Sequence, residues 1–403
     1  MKKNTKWSRP RHRIIQTIAC MILHPYCKWK YGIKIEKFKE QEDRPYLILY
    51  NHQTVFDQFF VGISFKKPVY YLATEDIFSL GWISSLLRYL VAPIPIKKQT
   101  ADFSAVMACL RIAKEGGTIA LAPEGNRTYG GKTEYINPAI ATMAKKMQLP
   151  IALYRIEGGY GVQPRWGDKL RKGKMRSYVH KVIAPEEYAD LSTSQLYDMI
   201  VEALDVNDKD YPSLYLSSKR AEYLERAMYV CPYCGLSEFE SSGNHIHCKK
   251  CFKKIHYGKD KKLEGVGFEF PFKFVGEWYE AQKDFINNLD VNQYVVDPLY
   301  IDKANLSEVI IRKKKNLLRQ DASLALYGDR IIIDKEKADS LTLPFSELSS
   351  VAVLGRNKVN IYHGEKVYQI KGDKRFNGLK YVNIYYRYKN MREEKDNGKF
   401  LGL

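Results

Sequence analysis

His52 and Asp57 are the residues whose types and spacing best suit chemistry, within the string Asn51-His52-Gln53-Thr54-Val55-Phe56-Asp57. A carboxylate that accepts from one imidazole nitrogen fixes the tautomer and raises the basicity of the other, which can then take a proton from a substrate hydroxyl. His52 is the candidate base and Asp57 its orienter, in a triad whose nucleophile is the substrate's own alcohol. On a regular helix two residues five apart do not share a face, so this pair meets only where a strand turns into a helix between them. The apolar run 46–50 reads as that strand. Thr54 as N-cap and residues 55–60 as a first turn supply the helix, with Asp57 near its positive end.

A second polar string, Ala122-Pro123-Glu124-Gly125-Asn126-Arg127-Thr128, follows the apolar run 118–122. Gly125 lets a backbone turn approach a ligand, and the planar fork of Arg127 suits phosphate oxygens. Glu124 either accepts from a substrate hydroxyl or holds Arg127. Between the two strings, Lys97 and Lys98 end a short strand and add positive potential for an anionic substrate. Two polar clusters at the tips of two buried strands can converge on one crevice, since open α/β sheets keep their ligands at the carboxyl ends of their strands.

These blocks, Asn51-His52 to Asp57, Lys97-Lys98, Pro123 to Arg127 and Leu149-Pro150-Ile151, resemble the successive blocks of the glycerol-phosphate and 1-acylglycerol-phosphate acyltransferase family, in order, across roughly residues 30–210. The resemblance implies a catalytic dyad of His52 and Asp57, with Asn51, Lys97, Lys98, Glu124, Gly125, Asn126 and Arg127 around the substrate. It implies acyl-CoA or acyl carrier protein as co-substrate and a 1-acylglycerol-3-phosphate or related hydroxyl as acceptor. Lys97 stands where the family usually has arginine and Asn126 where it usually has threonine, which bears on the acceptor more than on activity. The alternative function is a non-catalytic lipid-binding or scaffold protein on the same fold.

Four of the seven cysteines stand as Cys231-Pro-Tyr-Cys234 and Cys248-Lys-Lys-Cys251, two knuckles thirteen residues apart. That spacing matches a tetrahedral four-thiolate zinc site and resembles a zinc ribbon, with the zinc structural. Two disulfides or four free thiols are the other readings. The opening sequence reads as no secretory signal, and a reducing compartment favours metal. Cys20, Cys27 and Cys109 are scattered and read as packing residues.

The chain has 403 residues, with 65 Lys plus Arg against 46 Asp plus Glu and a net charge of +19. Such a charge needs an anionic partner, nucleic acid or an anionic bilayer, and the acyltransferase blocks turn the expectation to a membrane surface without nucleic acid. Residues 1–30 carry eight Lys or Arg and no acid around the apolar run 14–23. That run is too short to span a bilayer and reads as a helix lying in the interface, for a protein peripheral on the cytoplasmic face of the membrane. A second apolar stretch, 77–91, reads as a membrane contact or as a buried amphipathic helix. Gly158 to Gly161, followed by Arg165, Lys169, Arg171, Lys172, Lys174 and Arg176, reads as a flexible basic loop that either faces phosphates or is simply solvated.

The expected fold class is α/β, a mixed sheet flanked by helices, followed by a zinc ribbon and a small C-terminal β-barrel closed by one helix, with a low-specificity resemblance to the pleckstrin-homology superfold. The expected domains are a basic N-terminal segment 1–30, an acyltransferase domain 31–215, a zinc ribbon 228–258, a connecting segment with a helix 259–304, and the barrel 305–390.

Overall fold

The computed structural model describes residues 6–41, 44–74, 82–96, 103–309, 315–393 and 401–402. They form two compact units, one running to Arg165 and including Leu170–Tyr215, the other made of Trp166–Lys169 and the chain from Leu216 onward.

The first unit runs α1 (Pro10–Tyr31), β1 (Ile33–Ile35), β2 (Leu47–Tyr50), α2 (Asp57–Ser64), β3 (Val69–Thr74), α3 (Trp82–Val91), β4 (Ile94–Ile96), α4 (Phe103–Lys114), β5 (Thr118–Leu121), α5 (Ala139–Met147), β6 (Ile151–Glu157), α6 (Gly159–Val162), β7 (Met175–Ile183), α7 (Pro185–Tyr188) and α8 (Thr193–Leu204). Each strand expected from an apolar run is present. They make one sheet in the order β1-β7-β6-β2-β5-β3-β4, in which only the β6–β7 pair is antiparallel.

All four residues of β2 are buried, as expected of a strand covered on both faces. Leu47 and Leu49 pack in one cluster with residues of α4, α5 and α8. Ile48 and Tyr50 point the other way, into a cluster with Cys27 and Tyr31 of α1 and Phe60, Val61 and Ile63 of α2. The period-two alternation of side chains thus builds two cores from one strand. Helix α1 runs to Tyr31, past the end of the apolar run 14–23, and carries Pro25 within it. Its inner face, with His12, Cys27 and Tyr31, is buried.

The segment after β6 departs from expectation. Residues 159–167 and Arg171 are buried, so the first part of this stretch is packed, whereas Lys169, Lys172, Lys174 and Arg176 are exposed as a solvated loop would have them. Its entry is made by Gly158 at φ 77°, a left-handed conformation that favours glycine. A Cβ on Gly159 would lie 2.8 Å from Gln53 Oε1 and 3.1 Å from Gln53 Cβ.

In the second unit β8 (Val230–Cys231) and β9 (Gly235–Leu236) form a short hairpin, and β10 (Phe239–Ser242), β11 (His245–Cys248), β12 (Lys254–Tyr257) and β13 (Leu263–Gly265) form a four-stranded antiparallel sheet. Helix α9 (Val275–Asn287) leads to β14 (Tyr300–Glu308), β15 (Asn316–Leu326), β16 (Arg330–Ile333), β17 (Leu341–Pro344), β18 (Leu348–Leu354), β19 (Lys358–His363), β20 (Lys366–Gly372) and α10 (Leu379–Arg392). These strands lie in the order β17-β16-β15-β14-β20-β19-β18, every pair antiparallel. Among the described residues the end strands β17 and β18 do not pair. Pro344, which has no N–H to give, and the 3₁₀ turn Phe345–Glu347 separate them, so the sheet is a bent half-barrel and not a closed one. Strand β15 begins in polar sequence at Asn316. Its polar stretch Arg319-Gln320-Asp321 hides a register shift, where Asp321 at φ 48° gives its N–H to Asn305 Oδ1 at 2.9 Å.

Gly159→Ala is expected to lower the unfolding free energy by about 1–3 kcal/mol, because the added methyl must displace Gln53 in a packed site. Urea unfolding checks this, and an unchanged midpoint would show that the segment yields freely.

Candidate active site and candidate metal centre

β2 and β5 are parallel neighbours with Leu47 opposite Ile119, so their carboxyl ends open side by side. The chain leaves β2 towards β3 on one side and leaves β5 towards β6 on the other, which opens a crevice between the two strand tips. His52 and Thr54 stand just beyond β2, and Glu124 to Thr128 just beyond β5.

Asp57 is the first residue of α2, whose N-cap is Phe56 and not Thr54. The helix starts later than expected because the Asp57 carboxylate itself gathers the turn. Fully buried, it accepts from His52 Nδ1 at 2.8 Å, from the Gln53 N–H at 2.7 Å, from the Thr54 N–H at 3.0 Å and from Thr54 Oγ1 at 2.6 Å. Four donors compensate one buried charge. The His52 ring is 22% exposed, and its Nε2 has no hydrogen-bond partner among the described residues. With Nδ1–H given to Asp57, Nε2 presents a lone pair to the crevice, the arrangement that can accept a proton from a hydroxyl.

The second string closes around the same histidine. Glu124 is buried; its Oε1 accepts the His52 N–H at 2.7 Å and its Oε2 the Glu134 N–H at 2.7 Å. Neither alternative raised for Glu124, a substrate hydroxyl or Arg127, describes these contacts. Burial pushes its carboxyl well above the usual carboxylate range, against the pull of the two N–H bonds. The Thr128 N–H returns to the His52 carbonyl at 3.1 Å. Both polar groups of the His52 peptide are thus bound by residues more than seventy positions away.

Gly125, at φ 67°, makes the turn by giving its N–H to the Ala122 carbonyl. Asn126 is buried and Arg127 half-buried beside it. Asn51 is turned into the sheet, its amide giving to the Ile156 carbonyl at 2.8 Å and accepting the Ile156 N–H at 2.7 Å, so both polar atoms extend the pairing with β6. Lys97 and Lys98 lie outside the described residues.

Three further polar residues meet here: Gln163, which had no place in the sequence reading, Gln53, which stood only within the first string, and Arg165, which stood only within the basic loop. Gln53 Oε1 accepts the Gly159 N–H at 2.8 Å and the Tyr160 N–H at 3.2 Å. Gln163 Oε1 accepts the Val55 N–H at 3.1 Å. Arg165 gives Nη1 to the Arg127 carbonyl at 2.8 Å and Nη2 to Asn126 Oδ1 at 3.2 Å. The packed segment after β6 therefore ties the two strings to each other. Nothing local to Gln163 marks it, and Arg165 is marked only as one cation of a basic loop, because each partner lies dozens of residues distant.

In the second unit, Cys231, Cys234, Cys248 and Cys251 bring their sulfurs within 4.8 Å of one another. Cys231 Sγ lies 3.7 Å from Cys251 Sγ and Cys234 Sγ 3.6 Å from Cys248 Sγ. Those separations are far beyond a disulfide bond and close to the edge of about 3.8 Å that a tetrahedron with Zn–S of about 2.3 Å requires. Ser237 Oγ lies 3.0 Å from Cys248 Sγ, and the N–H groups of Lys250 and Cys251 also donate to that sulfur. Sulfur held this way suits a metal-bound thiolate, so the residues fit the group. His245 and His256 face each other across β11 and β12, with ring centroids 5.1 Å apart, and are not part of the cluster.

Residues 33–156 match the profile of the family described as Acyltransferase. The chain is 23% identical over 201 residues to the chloroplastic 1-acyl-sn-glycerol-3-phosphate acyltransferase of Arabidopsis thaliana, covering 48% of this chain and 54% of that protein. It is likewise 23% identical over 182 residues to the 1-acyl-sn-glycerol-3-phosphate acyltransferase of Bacillus subtilis, covering 44% of this chain and 87% of the other. The match thus spans about half the length of the plant relative. The crystal structure of the 1-acyl-sn-glycerophosphate acyltransferase PlsC from Thermotoga maritima aligns with a TM-score of 0.38 at 18% identity, over 48% of this chain and 76% of that one. An acyltransferase-family domain occupies residues 33–156 of this chain, and the paired strings at the tips of β2 and β5 lie within it.

Proposed function

We propose that this chain is an O-acyltransferase that moves a fatty acyl group from acyl-CoA or acyl carrier protein to a hydroxyl of 1-acylglycerol-3-phosphate or a related glycerol-phosphate or lysophospholipid. The observation that carries the reading is His52 Nε2, unpartnered at a strand tip while Nδ1 is held 2.8 Å from the buried Asp57. His52 Nε2 takes the acceptor's hydroxyl proton as its oxygen attacks the thioester carbonyl. The tetrahedral intermediate then expels the thiolate, which leaves with the proton from the imidazolium. One C–O bond forms, one C–S bond breaks, and the base is regenerated. Arg127 and the turn at Gly125 receive the phosphate of the acceptor. Glu124 keeps the His52 peptide in place, and its contribution to transfer runs through that histidine.

The reading extends to a membrane surface, where such acceptors reside. No described helix is long and apolar enough to cross a membrane. Along α1 the residues Ile14, Ile18, Met21, Ile22 and Trp29 are exposed, opposite the face that packs on the sheet. Helix α3 exposes Trp82, Leu86 and Tyr89 at helical spacing, so its described part is not the buried helix weighed from sequence. The two helices touch where Arg11 Nε donates to the Tyr89 carbonyl at 3.0 Å and its guanidinium lies 4.2 Å from the Tyr89 ring. Exposed Arg13, Lys28 and Lys30 flank the apolar face of α1, a combination suited to an anionic interface on the cytoplasmic side. The four cysteines hold one structural zinc ion, which cross-links two hairpins, and the half-barrel that follows is a pleckstrin-homology-like module.

Three outcomes test this. Mass spectrometry of lipids formed from acyl-CoA or acyl carrier protein and a panel of acceptors is expected to show an acylated glycerol phosphate with wild type, with His52→Ala slower by about 10²–10⁴-fold. Wild-type turnover by that variant removes the dyad. Elemental analysis is expected to find one zinc per chain, lost in Cys231→Ser and in Cys248→Ser made separately; undiminished zinc in either refutes the four-thiolate site. The protein is expected to sediment with anionic vesicles at low salt and to be released at high salt, and Ile18→Glu with Ile22→Glu should weaken that binding. These surface substitutions are a better probe than deleting residues 1–30, since Cys27 belongs to the core. Equal sedimentation of the double variant would place the contact elsewhere.

A further inference from the structure

Among the described residues Arg165 is a buried cation without a counter-charge. Its side chain is 4% exposed, and its partners are the Arg127 carbonyl, the Asn126 amide oxygen and the face of Tyr129, whose centroid lies 4.2 Å from the guanidinium carbon. None of the three carries a formal charge, and among the described residues Arg165 forms no ion pair. A desolvated guanidinium normally has a carboxylate beside it, because hydrogen bonds to neutral oxygens recover only part of its lost hydration.

We infer that Arg165 is a positioning residue for the anionic end of the acceptor, an inference that rests on the acyl-transfer reading above. Two effects follow from one side chain. Its planar fork grips the peptide oxygen of Arg127 and the side chain of Asn126 together, which fixes the tip of a turn that Gly125 leaves free to pivot. Its uncompensated charge, in a low-dielectric setting, raises the potential at the place where Arg127 meets a phosphate. An arriving phosphate supplies the counter-charge the fold omits, so part of the cost of burying Arg165 is recovered only on binding.

The placement is also registered to the base. The segment that carries Arg165 is tied to the first string by Gln53 at Gly159 and by Gln163 at Val55, so the tip bearing Arg127 is set relative to His52 through three short links. Lysine cannot reproduce this, since a single ammonium supplies the charge but not a fork that spans two acceptors in one plane.

The test compares wild type, Arg165→Met and Arg165→Lys in the full chain. Steady-state kinetics give KM for 1-acylglycerol-3-phosphate and for the acyl donor, and calorimetry gives the affinity for glycerol 3-phosphate. Arg165→Met is expected to raise the acceptor KM by about tenfold or more while the donor KM stays within about twofold, and Arg165→Lys to recover part of the loss. An acceptor KM that does not move, or two constants that rise alike, overturns the inference. If wild type acylates no acceptor, the functional reading fails, and calorimetry still decides Arg165. Glycerol 3-phosphate bound by wild type and lost in Arg165→Met supports it, whereas equal binding, or none to wild type, overturns it. Should Arg165→Met fail to fold, as circular dichroism would report, Arg165→Lys carries the test, and a lysine variant with unchanged acceptor KM and unchanged glycerol 3-phosphate affinity overturns the inference.

Discussion

The need to satisfy one buried carboxylate, that of Asp57, shapes the rest of the site. Four donors from three consecutive residues converge on it, and no extended or helical backbone brings residues 52, 53 and 54 to the same side chain. The chain must therefore fold into a compact turn after β2, which delays the start of α2 to Asp57 and leaves the imidazole anchored through Nδ1. A carboxylate so enclosed is costly to bury and costly to disturb, because removal of any donor leaves charge unpaired in a medium that screens it poorly.

Glu124 repeats the device across the sheet. Its two oxygens take one N–H from the first string and one from its own loop, so the pairing of β2 with β5 continues beyond the last ladder bond as one side-chain bridge. Asn51 continues the pairing with β6 in the same way. Polar residues that look from their chemistry like substrate ligands hold strand tips together, while among the described residues His52 Nε2 keeps no hydrogen-bond partner. Rigid placement of a base asks for this division of labour, since a base that can swing gains little from its basicity.

The second unit solves a different problem. Its four-stranded sheet is short, and its strands alternate buried residues with half-exposed or exposed ones, as in Phe239–Ser242 and Lys254–Tyr257. Between two hairpins four sulfurs come within 4.8 Å of one another, an arrangement that a bound ion would turn into a cross-link.

By itself, the sequence determined every element whose signal is local. The apolar runs 46–50, 118–122 and 151–157 became β2, β5 and β6 because burial on both faces demands unbroken apolar residues. The two cysteine knuckles became one cluster because each tight turn aims two sulfurs to one side. His52 and Asp57 were legible as a pair because their partnership spans five residues. Only the tertiary structure decided the order of strands, which makes β2 and β5 neighbours although β3 and β4 come between them in the chain. It alone turned Asn51 and Glu124 inward, and it alone drew residues 159–167 out of solvent. A run of glycines and cations reads as a hydrated loop until its partners are known, and the partners of Gly159, Gln163 and Arg165 are backbone and amide groups 38 to 108 residues away, a separation that leaves no periodic trace in composition.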